Sequence, residues 1–168
     1  MDKLKNLDGQ LIVPDPELIA LFLVTAAFVA ATSVFVAIRR RRPMPVAVGA
    51  AAFVGVAAYW VGLFYLSEFS AGLGTLLGLG VIGVACGWAV KDDLTSAEAL
   101  AVGLGCTLLA TLFGFIGSYL ALASFLVAAA SYPAVRLWWE SRRSLAATSA
   151  GLGALLVASV VGFGMLRS

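Results

Sequence analysis

The sequence predicts an all-α polytopic integral membrane protein, a compact bundle of six transmembrane helices joined by short loops. Of its 168 residues, 62% are hydrophobic and only 12% are charged. Soluble domains contain about 45–50% apolar and about 25% charged residues, and a small domain cannot hide such an apolar excess in one core. Six apolar runs are each long enough to cross about 30 Å of hydrocarbon. Most basic residues flank these runs, as topology determinants do.

A short polar tail, residues 1–14, precedes a single transmembrane domain predicted for residues 15–168. The tail is mixed in charge, and the apolar run after it is too long for the core of a cleavable signal, so we expect the N-terminus to be retained. The predicted spans are residues 17–38, 45–66, 71–90, 95–116, 119–138 and 145–166.

The first span has clear start and stop signals. Asp15 can cap free backbone N–H groups, Pro16 suits the first helical position, and Glu17 favours the positive end of the helix dipole. The span ends at four arginines, residues 39–42, and the prolines within residues 43–45 prevent the helix from continuing.

Short polar segments separate the later spans. Residues 67–70 form a turn after the second span, and residues 91–93 end the third. Thr95 and Glu98 then match a capping box, which predicts the start of the fourth helix. No charge divides the fourth and fifth runs at residues 117–118, but together they are too long for one crossing, so six spans are predicted.

The distribution of charge predicts that both termini lie outside the cell. If the arginine run is cytoplasmic, the loops after the first, third and fifth spans all face inward, and eight of the eleven basic residues lie on that side. We expect this basic face to contact anionic lipid headgroups. Its principal members are Arg39, Arg40, Arg41, Arg42, Arg142 and Arg143.

Small residues recur at helical spacing within the spans. Lipid is as apolar as leucine, so membrane helices associate by close backbone approach through such residues. We predict that they pack the bundle, and a subunit interface or a glycine-lined solute path is the functional alternative. The third run has the most glycines and is expected to be central. The predicted packing residues are Gly74, Gly78, Gly83 and Gly87, with Ala51, Gly55 and Gly151 on other spans.

No predicted span carries a charge at its centre. Glu98 and Arg136 are the deepest charges, interpreted as a helix cap and an interfacial residue; alternatively they meet at the inner mouth of a pathway. Tyr59 and Trp60 are the one bulky pair with polar tips at depth, and they pack in the core or contact a ligand. Asp92–Asp93 is expected to be a solvated loop, since two carboxylates are too few to enclose a cation.

The sequence lacks the residues that several kinds of functional site require. The chain has no histidine, which removes the commonest haem and copper ligand and a histidine-dependent protease. Cys86 and Cys106 lie in apolar runs and are expected to act as small packing residues. No glycine-rich phosphate loop with its lysine is present. We therefore predict no cofactor, no metal and no nucleic-acid partner, and no catalytic site is apparent.

Two functional hypotheses fit these observations. The first is a non-catalytic accessory subunit that packs into a larger membrane complex or self-associates. The alternative is a small-solute or ion transporter or channel, with a path lined by hydroxyls and glycine backbone. Either protein would reside in a membrane as a multi-pass chain, and this would be the plasma (inner) membrane if the source is a prokaryote.

Overall fold

The computed structural model of the chain describes residues 13–114, 119–139 and 141–167. These residues form six α-helices and no strand, which confirms the all-helical prediction for this part of the chain. Most of the predicted polar tail and the predicted turn at residues 117–118 lie outside the described residues. The helices are α1 Pro16–Arg39, α2 Pro45–Phe69, α3 Ala71–Val90, α4 Ser96–Gly114, α5 Tyr119–Arg136 and α6 Leu145–Arg167.

Five of the helices are long and apolar enough to cross a membrane, namely α1, α2, α3, α5 and α6. Helix α4 contains a shorter apolar segment, Ser96–Leu112. The described residues thus have the build of a multi-pass membrane protein, in which a strongly apolar outer surface faces lipid rather than water.

The boundary between α1 and α2 follows from the prolines. Helix α1 ends at Arg39 and α2 begins at Pro45, and both Arg41 and Met44 adopt left-handed backbone conformations, with φ of 51° and 55°. A residue before proline is disfavoured in the right-handed helical region, so Met44 cannot simply extend either helix. The predicted break in the chain is therefore sharp.

The two predicted helix starts have different outcomes. At α4, the Thr95 backbone N–H donates to the Glu98 carboxylate at 2.9 Å, and the Glu98 N–H donates to Thr95 Oγ1 at 3.4 Å, which confirms the capping box. At α1, Asp15 occupies the capping position but its side chain makes no capping bond. The expected side-chain role of Asp15 is therefore wrong; its carbonyl instead accepts the Ile19 N–H at 3.0 Å.

Helix α5, rather than α3, is the centre of the bundle. It packs against α1, α3, α4 and α6, whereas α3 packs against α2, α4 and α5. The seven consecutive residues from Ala123 to Ala129 are all buried, so this helix is enclosed on every side. Glycine content marks close approach between two helices, but it does not identify the helix with the most neighbours.

Two apolar cores flank α5. One lies among α3, α4, α5 and α6 and includes Ile82 and Tyr132. The other lies among α1, α2 and α5 and includes Phe22 and Trp60. Helix α5 thus joins an α1–α2 hairpin to the remaining helices.

Candidate functional site

Three loops meet at one end of the bundle, the loops that follow α1, α3 and α5. Arg40 forms an ion pair with Asp92 at 2.6 Å, joining the first loop to the second. The Arg39 guanidinium lies 6.0 Å from the Trp138 ring centroid, joining the first loop to the third. We call this the basic end, since it holds Arg39 to Arg42, Lys91, Arg142 and Arg143.

A buried carboxylate lies inside the basic end. The Asp93 side chain has no solvent exposure, and its Oδ1 lies 2.5 Å from Arg136 Nε. Its Oδ2 accepts a hydrogen bond from the Tyr132 hydroxyl at 2.7 Å, and the Arg143 backbone N–H donates to Oδ1 at 3.3 Å. These four residues form the Asp93 cluster, which fastens the α3–α4 loop to the end of α5 and to the loop after it.

The expected solvated loop is therefore wrong for Asp93. Tyr132 and Arg136 lie one helical turn apart on α5 and face the carboxylate together. Asp92 turns the other way and pairs with Arg40 at the surface. Because each carboxylate has its own arginine, the pair does not form a shared cation site, and no group of three or more potential metal ligands occurs among the described residues.

The structure gives Glu98 and Arg136 separate partners. Glu98 is occupied by the Thr95 backbone N–H and hydroxyl in the α4 cap. Arg136 pairs with Asp93 and donates from Nη1 to the Trp139 carbonyl, with its side chain 15% exposed. Arg136 is thus held in a buried ion pair, which sequence reasoning missed because the tertiary partner lies 43 positions earlier in the chain.

Aromatic rings accompany the cations of the basic end. Lys91 Nζ lies 3.9 Å from the Trp88 ring centroid, and the Arg143 guanidinium lies 3.5 Å from that of Trp139. The indoles of Trp88 and Trp138 are 63% and 74% exposed. Exposed tryptophans level with basic side chains are typical of the membrane–water interface, so this end has the composition of an interfacial belt.

Tyr59 and Trp60 belong to an aromatic cluster among α1, α2 and α5. The Trp60 ring is fully buried and stacks on Phe22, with centroids 4.6 Å apart and planes 10° apart. Tyr119 lies 6.1 Å from Trp60, and the Tyr59 hydroxyl donates to the Gly78 carbonyl at 3.5 Å. The Trp60 indole N–H has no acceptor among the described residues. Tyr59 and Trp60 therefore pack against other side chains in the core among α1, α2 and α5.

The predicted glycines of α3 lie against its neighbours. A Cβ added at Gly87 would be 2.9 Å from the Ala99 carbonyl oxygen, and one added at Gly103 would be 2.5 Å from that of Gly83. These distances allow no side chain, so α3 and α4 are in backbone contact. A Cβ added at Gly74 would be similarly close to α2, 2.7 Å from Ser67 Cα.

Other predicted packing residues lie differently. A Cβ added at Gly78 would make an ordinary contact, 3.4 Å from Leu63 Cδ1. One added at Gly151 would lie 3.6 Å from the Tyr132 ring. Ala51 and Gly55 lie on the exposed surface of α2, and nothing lies within 4 Å of a Cβ at Gly55. The small residues thus divide into an internal set on α3 and an outward set on α2.

Most hydroxyls within the helices bond to their own backbone. Thr25 donates to the Leu21 carbonyl at 2.7 Å and Ser124 to the Leu120 carbonyl at 2.9 Å. The same pattern holds for the side chains of Thr32, Ser33, Thr75, Thr107, Thr111, Ser131 and Ser159. This back-bonding satisfies the hydroxyl donor locally, so these groups do not converge on one path.

Comparison with models of known protein families, with curated proteins and with solved structures finds no match to this chain.

Proposed function

We propose that the protein is a non-catalytic integral membrane subunit that associates through the outer face of α2 with a partner helix or a second copy. The supporting observation is a stripe of four small residues with spacing of four, three and four, which places them on one helix face. All four are exposed: Ala51, Gly55, Ala58 and Gly62.

The physics of membrane association supports this use of the stripe. Nothing lies within 4 Å of a Cβ at Gly55 or Gly62. In lipid, apolar faces gain little by pairing, and close backbone contact supplies the stabilisation instead. The α3–α4 contact at Gly87 and Gly103 illustrates how this chain uses small residues. On α2 the same kind of surface has no partner within the described residues.

We further propose that α4 also crosses the membrane, which gives six spans with both termini outside. Alternating crossings place the three loops of the basic end on one side, and their mutual contacts support this arrangement. The positive-inside rule then assigns that side to the cytoplasm, and in a prokaryote the membrane would be the plasma (inner) membrane. Anionic headgroups then face Arg41 and Arg42, which are exposed.

Substitution of the two outward glycines tests the association. We expect Gly55→Leu with Gly62→Leu to abolish co-purification of a fixed partner, or the dimer signal in native mass spectrometry. Gly80→Leu is the matched control, since Gly80 is exposed on α3 and also has open space. Gly83 and Gly87 are unsuitable for this test, because they lie inside the bundle.

An unchanged association in the double variant would contradict the subunit proposal. So would a purified wild-type protein that is monomeric and transports a solute into liposomes by itself. The transporter alternative has one observation in its favour, the buried Asp93–Arg136 pair, because buried charges often mark transport pathways. The back-bonded hydroxyls do not favour it.

A further inference from the structure

A lateral groove lies between α4 and α6. It has a volume of about 350 Å³. Gly105 and Leu109 line it on α4, Gly153 and Leu156 line it on α6, and the ring of Phe125 on α5 contributes to its lining. The two walls face each other across a gap because α6 packs mainly against α5. An apolar groove on a membrane-facing surface is open to lipid rather than to water.

The groove extends over about half of the bilayer. Its lining on α6 runs from Leu145 at the basic end to Leu156. At a rise of 1.5 Å per residue, these eleven steps span about 16 Å. One leaflet contributes about 15 Å to a hydrocarbon core of about 30 Å, so the groove reaches from the interface to the bilayer centre.

Cations lie at the mouth of the groove. Arg142 and Arg143 lie three and two residues before Leu145, where the lining on α6 begins. Among the described carboxylates at this end, Asp92 and Asp93 pair with Arg40 and Arg136, and Glu98 is bound to Thr95 in the α4 cap. The side chains of Arg142 and Arg143 have no carboxylate partner among the described residues, so both can face headgroup phosphates.

From this combination we infer that the α4–α6 groove binds an acyl chain of an anionic phospholipid from the leaflet at the basic end, with its phosphate at Arg142 and Arg143. An acyl chain matches the groove in polarity and in depth. A transmembrane partner helix does not match the depth, since it would cross about 30 Å of hydrocarbon and the groove covers about half of that. The inference does not depend on the α2 association proposed above.

Native mass spectrometry of the full chain, released from nanodiscs of equal phosphatidylglycerol and phosphatidylcholine, tests the inference. We expect a retained adduct of one lipid, predominantly phosphatidylglycerol. Gly105→Leu with Gly153→Leu should remove it, because a Cβ at either position meets no atom within 4 Å and both residues line the groove that the leucines would occupy. Gly164→Leu, at another open glycine of α6, should leave it unchanged.

A second variant tests the headgroup contact without altering the helices. Arg142→Gln with Arg143→Gln should reduce the preference for phosphatidylglycerol over phosphatidylcholine by roughly 10- to 30-fold, as expected for two arginines near a headgroup. The inference is overturned if the groove-filling variant retains the adduct, if wild type shows no preference between the two lipids, or if filling the groove abolishes self-association without affecting the lipid.

Discussion

Asp93 shows how one residue can fix several elements. Its carboxylate has no exposure, and it is contacted by Arg136, Tyr132 and the Arg143 backbone N–H. Its neighbour Asp92 is also paired, but the side chains of Asp92 and Arg40 are 41% and 34% exposed. Breaking a buried pair leaves an uncompensated charge, whereas breaking an exposed pair leaves both groups in water. Adjacent aspartates in one loop should therefore differ greatly in their contribution to stability.

We predict that Asp93→Asn lowers the free energy of unfolding by about 3 kcal/mol, because Arg136 loses its charged partner in a buried site. Asp92→Asn is the matched control and should cost less than about 1 kcal/mol, as exposed pairs do. Unfolding by titration with sodium dodecyl sulfate in mixed micelles measures both. Equal effects of the two substitutions would show that the Asp93 cluster does not hold the loops together.

The burial of Asp93 and its ion pair with Arg136 could not be predicted from the sequence. A pair of aspartates after an apolar run has the local pattern of a solvated turn, and the partners lie on α5, far along the chain. Glu98 is the opposite case, because its partner Thr95 is only three positions away. Local hydrogen bonds follow from sequence spacing, while buried ion pairs depend on how distant helices pack.

At the scale of elements, glycines on both helices bring the backbones of α3 and α4 into contact. The Gly83 carbonyl occupies the space that a Cβ at Gly103 would need. Two residues further along α4, Gly105 faces open space in the groove. Of these two glycines of α4, Gly103 is required by the contact with α3, whereas Gly105 borders the open groove.

Gly103→Ala should destabilise the protein by about 1–3 kcal/mol, because the added methyl group forces the backbones of α3 and α4 apart. Gly105→Ala should remain within about 1 kcal/mol of wild type, since it meets no atoms and alanine favours a helix over glycine. The same detergent titration compares the two. Similar losses in both variants would show that the α3–α4 backbone contact does not account for the cost at Gly103.

The start of α4 gives a local test. Thr95→Ala removes the hydroxyl that accepts the Glu98 N–H, so amide exchange at Glu98 should become about fivefold faster, as for the loss of a typical cap. Ser96→Ala is the control, because Ser96 is exposed beside the cap. Hydrogen–deuterium exchange with peptide-level mass spectrometry measures the rates. Equal acceleration by both substitutions would argue against the capping box.

Helix bounds were predictable from the sequence to within a few residues because prolines, caps and apolar length are local signals. The central position of α5 was not, since its buried residues Ala123 to Ala129 resemble any lipid-facing run. In a membrane protein, apolar residues cover both the core and the outer surface. Composition therefore identifies a span without showing which neighbours enclose it.

At the scale of the whole molecule, the loops after α1, α3 and α5 form one basic end. The ion pair of Arg40 with Asp92 and the hydrogen bond from the Arg143 N–H to Asp93 connect these loops. Such contacts require the three loops to lie on one side of the membrane. The proposed six-span topology meets this condition, because α2 with α3, and α4 with α5, each leave one side of the membrane and return to it. The shorter α4 is the element on which the arrangement depends.

Cysteine accessibility in oriented vesicles tests this arrangement most directly. On a background of Cys86→Ala with Cys106→Ala, single substitutions Arg42→Cys, Lys91→Cys, Ser141→Cys and Glu68→Cys each supply an exposed thiol for a membrane-impermeant maleimide. We predict that the first three are labelled from the cytoplasmic side and Glu68→Cys from the other. Labelling of Lys91→Cys and Ser141→Cys from opposite sides would contradict the six-span bundle.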